Sequence, residues 1–203
     1  MMRYMRKVII SGAVFLGLGV LSSGATAGEG AVRWDIVHLA NTMPLTISAG
    51  GTASATARNP SSLKIVLTGS GTFKPGESDE VTGGGTWVTY SGCPDACVPT
   101  GSGMYRVTRL ASWEFDNLQL LVLNDLIGQN AANGNVVLRI RYSDGSRGTL
   151  GIGCHGPGAD AGIVEGVIAT KGYVTYWDAV APTTPAVDAN RTVFHITSAV
   201  SED

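Results

Sequence analysis

Three cysteines and three histidines are the most versatile reactive side chains in this 203-residue chain, and only at Cys154-His155 do the two types stand together. A thiolate and an imidazole could bind zinc or act as nucleophile and base. Zinc would also need His38 and His195 from distant segments, and no ligand-spacing motif links them, so the pattern calls for no metal and no other cofactor. Adjacent residues on a strand point to opposite faces, which denies His155 the Cys154 proton and leaves Cys154 as a small buried apolar residue. Cys93 and Cys97 enclose Pro94-Asp95-Ala96. A turn there brings their Cα atoms into the roughly 4.4 to 6.8 Å span of a disulfide, so this is the favoured pairing; a link from either one to Cys154 is the alternative.

Serine, histidine and aspartate all occur, but no G-x-S-x-G elbow exposes a serine, which argues against a serine hydrolase. Asp35, Glu114, Glu165 and Asp178 lie in or beside expected strands, where two carboxylates could flank a glycosidic bond. The usual exposure of acids favours solvated outer-face positions instead. Two charges stand out. Arg109 shares the period-two face of Tyr105, Val107, Ala111 and Trp113, and Glu165 shares that of Ile163 and Val167. Buried charges need partners, so the expectation is that Arg109 and Glu165 pair inside the fold, as a structural bridge or as the polar anchor of a ligand pocket. The ligand-binding candidates are Arg109, Glu165, Trp113 and Tyr105, with no catalytic residue assigned; a register one residue off would expose both charges.

The elements that must position these residues follow from composition and pattern. Arg3, Arg6 and Lys7, the apolar run Val8 to Leu21 and the ending Ala25-Thr26-Ala27 form a secretory signal peptide over residues 1–27. Its apolar run falls short of the roughly 20 residues that span a bilayer, so no membrane span remains after cleavage and the protein is expected to be secreted or periplasmic. The leader takes three of the 14 basic residues and none of the 16 acidic ones, leaving a formal charge of about −5 on residues 28–203. With 44% hydrophobic and 15% charged residues the chain is too apolar for disorder, and its balance gives no basic footprint for nucleic acid. A local basic patch is compatible with that balance, whereas anionic polymers and membranes are poor partners in bulk.

Short runs rich in Val, Ile, Thr, Tyr and Trp, separated by Gly, Asn, Asp and Pro clusters, predict strands near 32–39, 44–48, 52–58, 62–74, 84–90, 103–115, 135–143, 147–153, 162–170, 172–178 and 192–198. Ser143-Asp144-Gly145-Ser146 predicts a hairpin turn, and Thr170-Lys171-Gly172 a second one. Residues 116–133 are ambiguous, with a loop containing a helical turn favoured. Pro182 and Pro185 exclude a central strand between residues 181 and 190. Asn190-Arg191-Thr192 fits an N-glycosylation acceptor, relevant in a eukaryotic source. Trp34, Trp87, Tyr90, Tyr142, Tyr173, Tyr176 and Trp177 fall in or beside strands, most of them as core.

Residues 28–203 thus read as one all-β domain, an antiparallel β-barrel, with a β-sandwich as alternative; closure removes exposed edges. Gly162-Ile163-Val164-Glu165-Gly166-Val167, preceded by Gly156-Pro157-Gly158, resembles the Gly-rich G-x-F-x-G strand of the allene oxide cyclase and dirigent barrels, with Val164 where those families carry an aromatic residue. Gly69-Ser70-Gly71-Thr72-Phe73 and Gly83-Gly84-Gly85-Thr86-Trp87 are similar to segments of calycin-type meanders. The resemblance implies an eight-stranded barrel with an apolar lumen and carries over no catalytic residue. The function expected is a secreted, non-catalytic barrel that binds a small apolar molecule or serves as an extracellular interaction module. Alternatives are a cyclase- or isomerase-type enzyme using the lumen, and a carbohydrate-binding module.

Overall fold

A computed structural model describes residues 30–40, 42–119, 123–180 and 190–197. The signal peptide expected over residues 1–27 and the proline-bearing loop over 181–189 lie outside the described residues. Fourteen strands follow in order: β1 (Val32–Ala40), β2 (Thr46–Ala49), β3 (Ala53–Ala57), β4 (Lys64–Leu67), β5 (Ser70–Lys74), β6 (Glu77–Val81), β7 (Gly84–Ser91), β8 (Val98–Leu118), β9 (Asn124–Asp125), β10 (Ala131–Tyr142), β11 (Arg147–Cys154), β12 (Gly166–Lys171), β13 (Val174–Ala179) and β14 (Arg191–Ile196). The two expected hairpins are the β10–β11 and β12–β13 turns, and Gly145 in the first has φ +89°, a conformation glycine adopts without a Cβ penalty. No helical turn forms among the described residues of 116–133; β8 runs on to Leu118 and β10 begins at Ala131. Strong pairing on both sides of that segment captures residues whose apolar pattern was equally compatible with a helix.

The pairings close. β8, β10, β11, β12, β13, β3, β4 and β7 form an eight-membered antiparallel circuit that returns to β8. A second circuit runs β8, β10, β14, β1, β5, β7 and shares β7, β8 and β10 with the first. The sheet therefore forks. Along one edge of β10, β14 pairs with Ala131 and Ala132 and β11 takes over from Gly134. Along the β4–β5 strand, β3 gives way to β1.

The interior is filled. Trp34, Trp87, Tyr105, Tyr142, Phe73 and Phe194 pack there with Leu67, Leu138, Leu150 and the small Ala53, Ala55 and Ala57. Glycines allow the strands to approach: a Cβ on Gly85 would lie 1.9 Å from the Thr68 carbonyl oxygen. At one end Lys171 lies over the Trp87 ring at 4.2 Å and the Tyr142 ring at 5.0 Å, and pairs with Asp144. A second, smaller apolar cluster of Val37, Leu39, Ile47, Ala131 and Val193 lies on the opposite face of β1 and β14, packed against Leu45, Leu123 and Ile127.

The alternation expected along β8 holds at its ends and fails in its middle. Of three register shifts against β10, the two in mid-strand leave Thr108 and Ala111 as extra residues. Each bulge inverts the side-chain phase, so Tyr105, Val107 and Leu110 are buried while Arg109 and Ala111 are exposed. Two inversions cancel, and Trp113 and Phe115 return to the core side. We expect Leu110→Asp to cost about 3 kcal/mol or more and Ala111→Asp to stay within about 0.5 kcal/mol, read by denaturant unfolding. Uninterrupted alternation predicts the opposite order.

Candidate functional site

The fork in the sheet interrupts two ladders at once, and backbone groups left there need other partners. Glu165, in the turn before β12, supplies them. Its Oε2 accepts from the His155 backbone N–H at 2.6 Å, and its Oε1 accepts from the Thr192 N–H at 2.8 Å. Around this carboxylate the end of β11 and the start of β14 are tied together. The Thr192 hydroxyl donates to the Gly153 carbonyl at 2.7 Å, and the Cys154 thiol donates to the Thr192 carbonyl at 3.2 Å. The Gln119 amide reaches the Cys154 sulfur at 3.0 Å.

A pocket of about 300 Å³ opens against this knot. One wall is the outer apolar cluster, with Val37, Leu39, Leu45, Ile47, Leu123 and Val193; the other end carries Glu165, His155, Arg191, Thr192 and Gln119. The segment bearing Leu123 is held by β9, which pairs in parallel with β2, and by Asp125. Asp125 Oδ1 accepts from Ile127 N–H at 2.9 Å, while Oδ2 lies 2.8 Å from Nε2 of the buried His195. His155 Nδ1 lies 2.7 Å from the Ile163 carbonyl oxygen. That acceptor fixes the proton on Nδ1 in the neutral ring, so Nε2 is left as the basic nitrogen.

Electrostatics at the site is set by burial. Withdrawal from water raises the Glu165 carboxyl above its ordinary value, opposed by its bonds from His155 and Thr192 and by the Arg191 charge. Burial likewise pushes the Cys154 thiol up, with the Glu165 charge adding to the effect. A neutral, enclosed thiol is a poor nucleophile. No group of three or more His, Cys, Asp and Glu side chains suited to a metal ion occurs among the described residues.

No family model matches the chain, and no curated protein and no solved structure matches it. The chemistry of the site rests on its own residues.

Of the four ligand-binding candidates, only Glu165 lines this pocket. Arg109 does not pair with it. The β8 bulges turn Arg109 outward, where its guanidinium meets Ser78 at 2.9 Å and Asp79 at 3.5 Å with its side chain 54% exposed. Tyr105 is a core residue whose hydroxyl donates to the Thr68 carbonyl at 2.8 Å. Trp113 lies between the rings of Phe73 and Phe194, at 5.1 and 4.8 Å. The other acids also find structural positions: buried Asp35 accepts a two-pronged pair from Arg33 at 2.7 and 2.9 Å, and Asp178 pairs with Arg58 at 3.0 Å. Glu114 is exposed on β8. Cys93 and Cys97 form the expected disulfide, with Cα atoms 4.4 Å apart, and Cys154 is free and buried. Asn190 is buried, its side-chain oxygen accepting from Ser54 N–H at 2.6 Å, so it belongs to the interior rather than to an accessible glycan acceptor. The pocket's apolar wall was missed because Val37, Leu39 and Ile47 read as ordinary strand residues; the signal available was β1, where Val37 and Leu39 continue the apolar pattern on the face opposite Val32, Trp34 and Ile36.

Two measurements follow from this geometry. The folded Glu165 holds its proton more tightly than the unfolded chain, so its contribution to stability is complete below the ordinary value of 4.5 and is lost as pH rises through the raised folded value. Wild type should therefore lose thermal stability relative to Glu165→Gln as pH rises and the carboxyl ionises, the Gln variant lacking this dependence but starting from a lower midpoint at the acid end, because its amide accepts only one of the two backbone N–H groups. Cys154 should resist iodoacetamide in the folded protein and alkylate fully in denaturant, giving one labelled cysteine by mass.

Proposed function

We propose that the protein binds a small amphipathic molecule in the pocket beside the fork, its apolar body against Val37, Leu45, Ile47 and Leu123 and its polar end toward Glu165 and His155. The observation that carries this reading is the pairing of an apolar wall with a converging acid and imidazole in one cavity of about 300 Å³, the usual make-up of a small-molecule site. The filled barrel interior directs the ligand to the flank rather than to a lumen of the kind the allene oxide cyclase and dirigent resemblance implies. A ligand end that donates hydrogen bonds suits the site, because the ionised carboxylate only accepts them. The Cys93–Cys97 disulfide supports an oxidising, secreted or periplasmic setting.

A second reading, a cyclase- or isomerase-type reaction in the same pocket, is favoured by the raised Glu165 carboxyl, a property shared by catalytic acids. Weighing against it, both Glu165 oxygens already accept backbone N–H groups that hold the fold together. Native mass spectrometry of the protein isolated from its own host should reveal a retained small molecule. Leu45→Trp, which fills the pocket from a partly buried position, should lose that molecule while keeping its thermal midpoint. An empty wild-type protein that also takes up no apolar fluorescent probe overturns the binding reading. Conversion of the retained molecule by wild type but not by Glu165→Gln would favour the catalytic one.

A further inference from the structure

Five of the chain's 14 basic residues share one outward face of β8, β10 and β11, although its overall formal charge is −2. Arg141 on β10 stands directly opposite Arg106 on β8 and Arg147 on β11, so three arginines form one row across three strands. Arg139, two residues along β10, stands opposite Arg109 and Thr149. All five side chains are exposed. Arg109 is engaged by Asp79 from β6, but among the described residues no carboxylate lies within ion-pair distance of Arg106, Arg139, Arg141 or Arg147. The nearby Asp144 is taken up by Lys171. Like charges directly opposite one another on neighbouring strands destabilise a sheet, so this row is a standing cost in the free protein.

The four arginines line a groove of about 600 Å³ together with Thr108, Ala111, Gly148, Thr149 and Thr170. Adjacent strands lie about 4.8 Å apart, so the row reaches across about 10 Å, and Arg139 sits about 7 Å along β10 from Arg141. Guanidinium groups bind phosphate and sulfate through paired N–H donors, and several together recognise more than one such group. We propose that this groove is a binding site for a ligand bearing two or more clustered phosphate or sulfate groups, separate from the flank pocket. The Glu165 pocket shares no lining residue with it. A bound polyanion would both make these contacts and remove the repulsion along the row. The source of such groups is either a soluble molecule or the headgroups of a membrane.

Calorimetric titration of the full chain with tripolyphosphate and with inorganic phosphate, beside flotation with phosphatidylcholine vesicles that contain or lack phosphatidylglycerol, tests this. Tripolyphosphate is expected to bind about ten-fold or more tightly than inorganic phosphate, to weaken steeply with added salt and to raise the thermal midpoint. Arg141→Glu and Arg147→Glu should each lose about ten-fold, while Arg58→Glu, at the surface pair with Asp178, should bind as wild type. Because these side chains point into solvent the variants should fold; as a second reading on the free protein, Arg141→Thr should raise the midpoint at low salt and lose that gain at high salt. Flotation only with phosphatidylglycerol, abolished in the same variants, keeps the site and assigns it to a membrane surface. Binding of neither probe, or equal binding by wild type and both glutamate variants, overturns the proposal and leaves the flank pocket untouched.

Discussion

A barrel that forks must account for the backbone groups stranded where two strands compete for one edge, and here the Glu165 carboxylate does so. With β14 on one stretch of the β10 edge and β11 on the next, neither strand can complete the other's ladder. The two carboxylate oxygens accept one N–H from each side of the break, at His155 and Thr192, in place of a missing strand. Asn190 does comparable work nearby, holding Ser54 on β3 while its own N–H reaches the Thr52 carbonyl. An unpaired buried amide costs about 1–3 kcal/mol, so these side chains support the branch point as well as the walls of the adjoining pocket.

That dual position explains why Glu165 has the features of a functional acid. A carboxylate enclosed enough to suture backbone is also desolvated, and its raised proton affinity follows from enclosure before any substrate is considered. The same enclosure, with both oxygens already accepting backbone N–H groups, leaves few free lone pairs at the polar end of the pocket. Opposite it, the outer cluster of β1 and β14 gives an apolar wall that belongs to no barrel interior. An eight-stranded barrel is just wide enough for side chains to fill, and this one is filled by its aromatic residues. Space for a ligand is therefore left at the branch, where packing is interrupted by topology.

Much of the architecture was legible in the sequence because period-two alternation and turn chemistry are local. The hairpin at Asp144-Gly145, the strand runs, the all-β class and the short Cys93–Cys97 loop all follow from neighbours in the chain. What alternation cannot carry is a bulge, since one extra residue inverts every side chain beyond it while leaving composition unchanged. The two bulges at Thr108 and Ala111 are the physical reason that simple alternation places Arg109 and Ala111 with the core face, whereas the structure exposes both. Glu165 was singled out correctly as a charge withdrawn from water. Its partner was misassigned because the groups it meets are backbone amides created by the fork, and a branch in a sheet has no signature in any single segment.

The bulges also bear on the electrostatics of the opposite face. Arg109, turned outward, joins Arg139, while Arg106 and Arg147 flank Arg141 one row away. Within a strand, Arg139 and Arg141 alternate with Leu138, Ile140 and Tyr142 and read as ordinary solvated positions; only the registers against β8 and β11 convert them into a cluster. Net charge conceals this, because acidic residues balance the total: Asp79 on β6 engages Arg109, while Glu80 on β6 and Asp178 on β13 are paired with Lys74 and Arg58. Screening over roughly 8 Å at physiological ionic strength confines the attraction to ligands that enter the groove. A weakly acidic protein can thus repel polyanions at a distance and still hold one at contact, a combination that favours compact, densely charged groups over extended ones.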